Sequence, residues 1–385
     1  MRAKKVCVVV TARPSYSRIK SVLRAIEDKP GLKLQLVVAA SALLDRYGMA
    51  INSIEQDGFK VSRSVYMVME GENLTNMAKT TGIGLMELST VFDSLKPDYV
   101  ITIADRYETM ATAVAAAYMN IPVIHIQGGE VTGSIDEKVR HAVTKLADLH
   151  YVANNSAAER VKKMGEEEDS IFITGCPSID LVDNLSQQKE LTFDPYEKYG
   201  GVGNKVDLRD GYVVVMQHPV TTEYKESKDQ INKTLHAIKC IGFPTLWFWP
   251  NVDAGADGVS KGIRLYREHH NLEHVHFFKN MLPEDFLNLL TNCKCIVGNS
   301  SVAIRECSYL GVPAVNIGNR QQGRDRGENV VDVPHDKYAI KDKIYDQLHH
   351  GFYDKDTLYG DGKAGERIAD LLTHASTKIE KRLAY

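Results

Sequence analysis

The 385-residue sequence contains no apolar run that approaches the roughly eighteen residues needed to cross a bilayer. Its first residues, MRAKKVCVVVTARPS, include only a short apolar stretch, which predicts a first strand and not a signal peptide. Cysteine is scarce: there are six, and the close pair Cys293 and Cys295 has no second pair at zinc-finger spacing. These absences predict a cytoplasmic protein with buried reduced thiols, no membrane segment and no metal site.

An excess of either charge is also lacking. The 47 basic and 50 acidic residues give a formal net charge of -3, so no global field attracts nucleic acid or an anionic membrane. We therefore expect neither as a partner, although a local basic patch could still bind a phosphorylated ligand. With 43% hydrophobic and 25% charged residues, the chain has the composition of a globular protein, and its length predicts two domains.

Short apolar runs alternate with longer segments of helical periodicity. The run VCVVVT, from Val6 to Thr11, precedes apolar residues at Ile19, Val22 and Ile26, which have helical spacing. The runs LQLVVAA, YVITIA, PVIHIQ and IFITG continue the series. Such alternation predicts a parallel sheet covered by helices on both faces, and we assign residues 1–183 to this first domain.

The segment 184–210 interrupts this alternation. It is polar and carries glycines and a proline, which predicts an interdomain linker. A second series over 211–361 contains GYVVVM, PTLWFW, HVHFF, CIVGN and PAVNIG, and a last helix over about 362–385 is expected to pack back on the first domain. The predicted fold class is α/β with two Rossmann-like doubly wound domains, whose ligand would bind at the carboxyl ends of the strands in an interdomain cleft.

The motif GNSSVAIRE follows one strand of the second domain. Its glycine and two serines precede a predicted helix near Val302, where backbone N–H groups and hydroxyls favour a phosphate. Ordinary capping is the alternative, but capping requires only one of Ser300 and Ser301. Glu306, about one turn further on, could accept hydrogen bonds from ribose hydroxyls.

Cationic groups follow other predicted strands. The loop GNRQQGRDRGEN holds Arg320, Arg324 and Arg326, and an arginine fork suits phosphate, although a solvated loop is an even alternative. Arg13 and Arg106 follow strands of the first domain. His218, in QHPVTTE, is a candidate acid or phosphate ligand. From its position alone, a histidine that is hydrogen-bonded locally to stabilise the loop is an equal alternative.

Three acids of the first domain follow strands at places where chemistry could occur: Asp105, Glu130 and Asp136. For any one of them, a helix cap or a salt bridge is the more common role. Three acids at neighbouring strand ends of one sheet shift the balance towards general acid–base work.

Taken together, these motifs resemble those of the hydrolysing UDP-N-acetylglucosamine 2-epimerases. The resemblance runs from TARPSYSRIKSVL through DRYETMATAVAAAYMNIPVIHIQGGEVTGSIDEKVRH, TGCPSIDLV, QHPVTTE and PNVDAG to GNSSVAIRE and GNRQQGRDRGENV, which is nearly the whole chain. It implies a fold like that of the GT-B glycosyltransferases, with UDP held mainly by the second domain. It also implies a UDP-sugar as substrate, no cofactor, and a homo-oligomer (dimer or tetramer).

The resemblance also implies roles for individual residues. On the nucleotide side, it assigns the diphosphate to Ser300, Ser301, Arg320 and Arg13, the ribose to Glu306, and a place beside the nucleotide to Asn251. On the sugar side, the matching positions are Asp105, Asp136, Arg106 and His218. The loop Ala12-Arg13-Pro14-Ser15 departs from many relatives, but Arg13 and Ser17 remain, so we expect nucleotide contact to be retained.

The implied reaction begins when the anomeric C–O bond breaks. UDP departs and a proton leaves C2, which gives a 2-acetamidoglucal, and water then adds to yield N-acetylmannosamine. Positive charge and amide groups suit the leaving diphosphate, and a carboxylate suits the weakly acidic C2 proton. A non-hydrolysing epimerase, a GT-B glycosyltransferase and a non-catalytic nucleotide-sugar regulator remain alternatives, and the first-domain acids argue against the transferase.

Gln127 is the main departure from the family pattern. Many relatives have an acid where this chain has the amide in HIQGGE, and an amide cannot take up a proton at neutral pH. Either Glu130 or Asp136 takes over that work, or the substrate differs. UDP-2,4-diacetamido-2,4,6-trideoxy-glucose, on the legionaminic acid route, is the alternative substrate within the same family.

Overall fold

The computed structural model describes residues 2–71, 74–132, 136–185, 190–250, 255–377 and 380–385; of Arg46 and Thr221 only the backbone is described. The chain forms two compact units. The first comprises Met1–Glu130, Ile135–Leu181 and Tyr359–Tyr385, and the second comprises Val131–Ser134 and Val182–Leu358.

The first unit is a parallel α/β sheet. Its described strands are β1 (Lys4–Val10), β2 (Leu32–Ala39), β3 (Val61–Val65), β4 (Tyr99–Ile103), β5 (Val123–Ile126), β6 (Leu149–Val152) and β7 (Ile171–Ile173), in the spatial order β3-β2-β1-β4-β5-β6-β7. The helices are α1 (Arg13–Asp28), α2 (Ala50–Gln56), α3 (Leu74–Leu95), α4 (Tyr107–Tyr118), α5 (Asp136–Leu146), α6 (Asn155–Lys163), the late α14 (Ala364–His374) and the first part of α7 (Pro177–Leu185), whose residues from Val182 onward belong to the second unit. The strand order reverses between β1 and β4, as in a doubly wound fold.

Alternation along β1 divides the first unit's core into two layers. Val6, Val8 and Val10 belong to one cluster, whereas Cys7 and Val9 belong to the cluster on the other face. The first cluster includes the apolar stripe of α1, and the second includes residues of α3, α4 and α5. The sheet is therefore buried on both faces, as the run of valines in β1 predicts.

The last helix of the chain packs in the first unit. Asp180 accepts hydrogen bonds from the first N–H groups of α14, with Oδ1 2.9 Å from Ala364 N and Oδ2 2.7 Å from Gly365 N. Ile368 and Leu372 then join the α1 side of the core. The helix ends at His374, so it is shorter than the predicted span of about 362–385.

The second unit has the same type of sheet. Its described strands are β8 (Val202–Gly203), β9 (Val213–Met216), β10 (Thr245–Phe248), β11 (Val275–Phe278), β12 (Cys295–Gly298), β13 (Ala314–Ile317) and β14 (Val330–Val333), in the order β14-β13-β12-β9-β10-β11-β8. The helices are α8 (Pro195–Tyr199), α9 (Ser227–Ile241), α10 (Ala256–His269), α11 (Pro283–Thr291), α12 (Glu306–Leu310) and α13 (Lys337–His350). The order reverses between β9 and β12, and β8 is antiparallel to β11. Two doubly wound α/β units therefore agree with the predicted fold class.

The segment predicted as a linker is folded where it is described. α8 and β8 lie within 184–210, and both belong to the second unit. The ring of Tyr196 contacts His276, with centroids 4.8 Å apart, and stacks on Phe278 at 6.0 Å. These aromatic contacts order a stretch whose polar composition predicts a linker.

The six cysteines are all free thiols; five are buried and Cys240 is exposed, which corrects the expectation that all are buried. Within the described residues, no helix is long and apolar enough to cross a membrane.

Candidate active site

Parallel pairing brings three loops of the first unit to one edge of its sheet. β4 pairs with β1 and with β5, so the residues that follow these strands lie at the same carboxyl edge. Arg13 follows β1, Asp105 follows β4, and Gln127 and Glu130 follow β5. Asp105, Gln127 and Glu130 therefore belong to one edge, as the sequence predicts for residues at strand ends.

A buried histidine fixes the turn that carries Asp105. His125 Nε2 lies 2.9 Å from the carbonyl oxygen of Ala104, and its Nδ1 lies 3.1 Å from Thr144 Oγ1. Burial lowers the pKa of His125 to about 3, so the ring is neutral and donates to Ala104. Ala104 has a φ of +64°, which is costly for a residue with a Cβ atom, and the His125 bond helps to hold it there.

Arg140 of α5 connects the candidate acids. Its guanidinium is buried, forms an ion pair with Asp105, and donates from Nη1 to the Glu130 carbonyl oxygen at 2.7 Å and to Glu137 Oε2 at 2.8 Å. Burial alone would lower the pKa of Arg140, but the carboxylates of Asp105, Glu130 and Glu137 outweigh it and raise the pKa. The salt bridge considered for Asp105 thus exists, and it also orients this carboxylate.

The other predicted residues of the first unit have different surroundings. Asp136 begins α5, one turn before Arg140. Arg106 is held by the buried Glu108, with Nε 3.2 Å from Oε2 and Nη2 3.1 Å from Oε1, so its fork is directed to its own helix. Arg13 begins α1, and burial lowers its pKa to about 10. Ser17 Oγ donates to the Arg13 carbonyl oxygen at 3.3 Å.

Gln127 is buried in a left-handed backbone conformation, with a φ of +66°. Its Nε2 donates to Cys176 Sγ at 2.8 Å, and this sulfur lies 3.1 Å from Ser178 Oγ. The amide at the position where the resemblance implies an acid is therefore held by the thiol of Cys176, which contacts the Ser178 hydroxyl, and Cys176 is a site residue that the sequence did not indicate.

In the second unit, Asn299 connects the ends of β9 and β12. Its Oδ1 accepts from His218 N at 2.7 Å, and its Nδ2 donates to the His218 carbonyl oxygen at 2.8 Å. Gly298 has a φ of +137°, and a Cβ atom there would lie 2.1 Å from the Met216 carbonyl oxygen. This close approach requires glycine, and it places His218 beside Asn299, the residue before Ser300, at the carboxyl edge.

At the helix start predicted near Val302 the chain forms a 3₁₀ turn, and the α-helix begins only at Glu306. Ser300 Oγ accepts from Val302 N at 3.5 Å and begins a 3₁₀ turn, Ser301–Ala303, and α12 has five residues. A helix dipole from such short turns is weak, so the helix-terminus part of the phosphate prediction loses support. The hydroxyls remain, and Arg305, which the sequence analysis missed, donates from Nη2 to Ser301 Oγ at 2.8 Å.

Arg320 and Gln321 converge on the same loop. Arg320 Nη1 and Gln321 Nε2 lie 3.1 Å and 2.9 Å from the Asn299 carbonyl oxygen. Glu306 is buried, and its Oε2 has no hydrogen-bond partner among the described residues, which leaves an acceptor for a hydroxyl group of a ligand. Asn251 lies outside the described residues.

Each unit thus offers one kind of chemistry. The first provides the half-buried carboxylate of Asp105, oriented by Arg140, and the buried Glu130, which suits proton transfer. The second provides hydroxyls and a guanidinium, which suits an anion, beside the free acceptor of Glu306. The described residues contain no group of three or more His, Cys, Asp or Glu side chains arranged to hold a metal ion.

Comparison with known proteins agrees with this chemistry. A sequence model of the family described as UDP-N-acetylglucosamine 2-epimerase matches residues 24–373. A Legionella pneumophila protein named UDP-N,N'-diacetylbacillosamine 2-epimerase (hydrolyzing) is 32% identical over 370 residues, which is 96% of this chain and 95% of that protein. A Neisseria meningitidis UDP-N-acetylglucosamine 2-epimerase is 28% identical over 382 residues, covering 97% and 96% of the two chains.

Solved structures share the fold at low sequence identity. A UDP-GlcNAc 2-epimerase from Neisseria meningitidis bound to UDP-GlcNAc superposes with a TM-score of 0.79 at 19% identity. The match covers 96% of this chain and 100% of that chain. The Methanocaldococcus jannaschii enzyme in complex with UDP-GlcNAc and UDP gives 0.77 at 17% identity, with the same coverage of 96% and 100%. The predicted GT-B-like fold class is thus confirmed.

Proposed function

The chain belongs to the UDP-N-acetylglucosamine 2-epimerase family, and we propose that it is a hydrolysing member that converts UDP-N-acetylglucosamine and water into N-acetylmannosamine and UDP. The observation that carries the proposal is the ion pair between Arg140 and Asp105, with the backbone carbonyl of Glu130 held by the same guanidinium. It gives the first unit an oriented carboxylate at the edge of the sheet where ligands bind in doubly wound folds.

The second unit is assigned the nucleotide. Ser300, Ser301 and Arg320 hold the diphosphate, because hydroxyls and a guanidinium stabilise the charge that develops as UDP leaves. The free Oε2 of Glu306 accepts from a ribose hydroxyl. Arg13, at the start of α1, is assigned as a further cation for the diphosphate, as the family resemblance implies.

The sugar reacts by elimination followed by hydration. The anomeric C–O bond breaks with its electron pair on UDP, and Asp105 removes the C2 proton, which gives a 2-acetamidoglucal. Water then adds: its hydroxyl bonds to C1, and a proton reaches C2 from the opposite face. Glu130, Asp136 and His218 are assigned to this water and proton, since Gln127 cannot exchange a proton.

The hydrolytic outcome is supported by the names of two relatives. The Legionella pneumophila protein and a Campylobacter jejuni protein, 28% identical over 336 residues, are both named as hydrolyzing 2-epimerases. An Escherichia coli polysialic acid biosynthesis protein, 31% identical over 342 residues, also covers most of the chain.

A second candidate substrate is the 2,4-diacetamido-2,4,6-trideoxy analogue of the same nucleotide sugar. One observation and the family resemblance favour it: the two hydrolyzing relatives are named for diacetylbacillosamine, and the resemblance implies an acid at the position of the Gln127 amide. The reaction type is the same for both substrates.

Product analysis tests the proposal. The purified protein is incubated in D₂O with each nucleotide sugar, and the products are followed by ¹H and ³¹P NMR. We expect free N-acetylmannosamine that carries deuterium at C2, together with UDP. Asp105→Asn should lower turnover by about 10²- to 10⁴-fold while UDP binding is retained, and Glu159→Gln, on the exposed side of α6, is the matched control.

Each result has a defined meaning. Reversible formation of UDP-N-acetylmannosamine without free sugar would assign the chain to non-hydrolysing chemistry. Turnover of the diacetamido substrate alone would select the second candidate. Full activity of Asp105→Asn would overturn the role of this carboxylate.

A further inference from the structure

The last described residues, 380–385, pack against the turn that follows α6 in the first unit. Ala384 N donates to the Gly165 carbonyl oxygen at 3.1 Å. Gly165 has a φ of +85°, and a Cβ atom there would lie 2.6 Å from Tyr385 Cε1, so the tyrosine ring packs directly on this glycine. Residues 380–385, which we call segment 380–385, therefore have a defined place in the first unit.

Lys381 directs its ammonium group from this segment into the first unit, and its side chain is 26% exposed. The ammonium donates to the carbonyl oxygen of Thr144 at 3.2 Å and to that of Ala147, and it forms an ion pair with Glu166 Oε2 at 2.6 Å. An ammonium group has three N–H donors, and three acceptors lie within its reach here. Lys381 is thus bound at three points.

The carboxylate that receives Lys381 is buried and ionised. Glu166 also accepts from Lys145 Nζ at 2.5 Å, and its Oε2 lies 3.0 Å from His150 Nε2. Burial alone would raise the pKa of Glu166, but the hydrogen bonds from His150, Lys145 and Lys381 outweigh it and lower the pKa to about 2. A buried negative charge therefore holds the Lys381 ammonium in place.

The two carbonyl oxygens that Lys381 reaches lie at the carboxyl end of α5. Thr144 is in the last turn of this helix, and Ala147 directly follows its last residue, Leu146. The last carbonyls of a helix have no partner within the helix and carry partial negative charge, so a cation is favourable there. Lys381 therefore caps α5, although it lies 237 positions after Thr144 in the chain.

The same helix orients the proposed catalytic carboxylate. Arg140, one turn before Thr144, forms the ion pair with Asp105. The Thr144 hydroxyl lies 3.1 Å from His125 Nδ1, and the other ring nitrogen of His125 is bonded to the Ala104 carbonyl oxygen, just before Asp105. A shift of the end of α5 would therefore disturb Asp105 by two routes, one through Arg140 and one through His125.

We infer that Lys381 is a positioning residue for the candidate active site: its ammonium fixes the carboxyl end of α5 and so keeps Arg140 in contact with Asp105. The inference rests on the proposed function, in which Asp105 removes the C2 proton. α5 joins the parallel strands β5 and β6, so it runs back across the sheet and ends at the edge where β6 begins. Lys381 therefore lies at the opposite edge from the substrate and acts through the helix.

The test compares Lys381→Met with the unmodified chain by steady-state kinetics and by calorimetry with UDP. We expect kcat to fall about tenfold or more, because a small displacement of a positioning group is costly to turnover. The Kd for UDP should stay within about twofold, because Ser300, Ser301 and Arg320 lie in the second unit. Arg382→Met, which removes the same charge from the next, exposed residue, is the matched control and should leave kcat unchanged.

A double-mutant cycle tests whether Lys381 acts through Arg140. In an Arg140→Lys chain the fork is already lost, so adding Lys381→Met should lower kcat by less than about twofold. A role of Lys381 that is independent of Arg140 would instead give the full additional fall.

Chemical rescue tests whether the ammonium itself is needed. Alkylation of Lys381→Cys with 2-bromoethylamine places an ammonium at nearly the original distance from the backbone, and it should restore most of kcat. The unmodified chain, treated in the same way, corrects for reaction at its own thiols, of which Cys240 is exposed.

Hydrogen exchange of the amides of residues 136–150 follows α5 without any substrate. Lys381→Met should speed this exchange and Arg382→Met should not, because only Lys381 caps the helix. If the unmodified chain turns over neither nucleotide sugar, the proposed function fails, and the exchange still decides whether Lys381 fixes α5. Unchanged kcat or unchanged exchange in Lys381→Met, or a full additional fall of kcat in the Arg140→Lys chain, would refute the inference.

Discussion

The side-chain amide of Gln127 donates a hydrogen bond to the sulfur of Cys176 over 2.8 Å, inside the first unit and away from water. The two residues are separated by 49 positions in the chain, and the fold places one after β5 and the other just before α7. An amide N–H can donate to this sulfur, whereas an ionised carboxylate could only accept from the thiol, which is a weak donor, so the contact favours glutamine over glutamate.

Replacing Gln127 with glutamate should therefore destabilise the protein. Gln127→Glu keeps the length of the side chain but removes the donor and buries an acid, so we expect the free energy of unfolding to fall by about 1–3 kcal/mol. Urea unfolding measures the change. Cys176→Ser is the control, because a hydroxyl still accepts from Gln127, and equal stability of Gln127→Glu and the unmodified chain would contradict the prediction.

Arg140 should affect turnover more than nucleotide binding. Arg140→Lys keeps a positive charge but loses the fork that contacts Asp105, Glu137 and the Glu130 carbonyl oxygen, so we expect kcat to fall by roughly 10²-fold. The affinity for UDP, measured by calorimetry, should change little because the proposed nucleotide residues lie in the second unit. Arg24→Lys, on the exposed side of α1, is the control, and a kcat equal to that of the unmodified chain would show that the fork is not needed.

Arg320 should affect nucleotide binding directly. Arg320→Ala removes a guanidinium from the loop after β13, and a charge-assisted hydrogen bond contributes about 1.5–3 kcal/mol, so the Kd for UDP should rise roughly 10- to 100-fold. Calorimetry with UDP measures this directly. Arg209→Ala, at an exposed position of the same unit, should leave the Kd unchanged. An unchanged Kd for Arg320→Ala would remove this residue from the nucleotide site.

The buried His125 should make the protein sensitive to acid. Its pKa is about 3 in the folded chain and about 6.5 when unfolded, so below about pH 6.5 the unfolded chain binds a proton that the folded chain does not. The contribution of the neutral His125 to the free energy of unfolding is then fully present above about pH 6.5. It is lost as the pH falls towards 3, by up to about 1.4 kcal/mol per pH unit. Burial also lowers the pKa of His150, so this residue makes the loss of stability in acid larger. Glu166, with a pKa of about 2, adds a further loss of stability as the pH falls below about 4.5.

Urea unfolding between pH 7.5 and 5 checks this dependence. His125→Asn should flatten the slope by about one proton even if it lowers stability at every pH, and His349→Asn, at an exposed position of α13, should not change the slope. A slope unaffected by His125→Asn would show that this ring is not the group that titrates.

The sequence predicts the central strands well because they are continuous apolar runs. β1, β4, β9 and β12 are buried on both faces, and all four appear as predicted. β3 was not predicted, since VSRSV is an edge strand with exposed Arg63 and Ser64. β6 was not predicted either: the polar His150 interrupts its short run, and the contact of its Nε2 with Glu166 Oε2, at 3.0 Å, exists only in the folded chain.

The location of the candidate site could be predicted from the sequence, but the contacts between its side chains could not. Strand ends identify where Asp105, Glu130 and Ser300 lie, because the carboxyl edge of a parallel sheet is fixed by topology. The partner of Asp105 is Arg140, 35 residues away, and no local spacing indicates this contact. No local spacing indicates the left-handed backbone conformation of Gln127 either.

The capping of α14 by Asp180 has a consequence for the synthesis of the chain. Ile368, Ala369 and Leu372 complete a core whose other buried members precede the second unit, so that core is completed only after α14 has left the ribosome. The second unit is almost entirely one uninterrupted stretch, Val182–Leu358, and can complete its core earlier. We therefore expect the second unit to fold first, and the first unit to hold an exposed apolar α1 until α14 arrives.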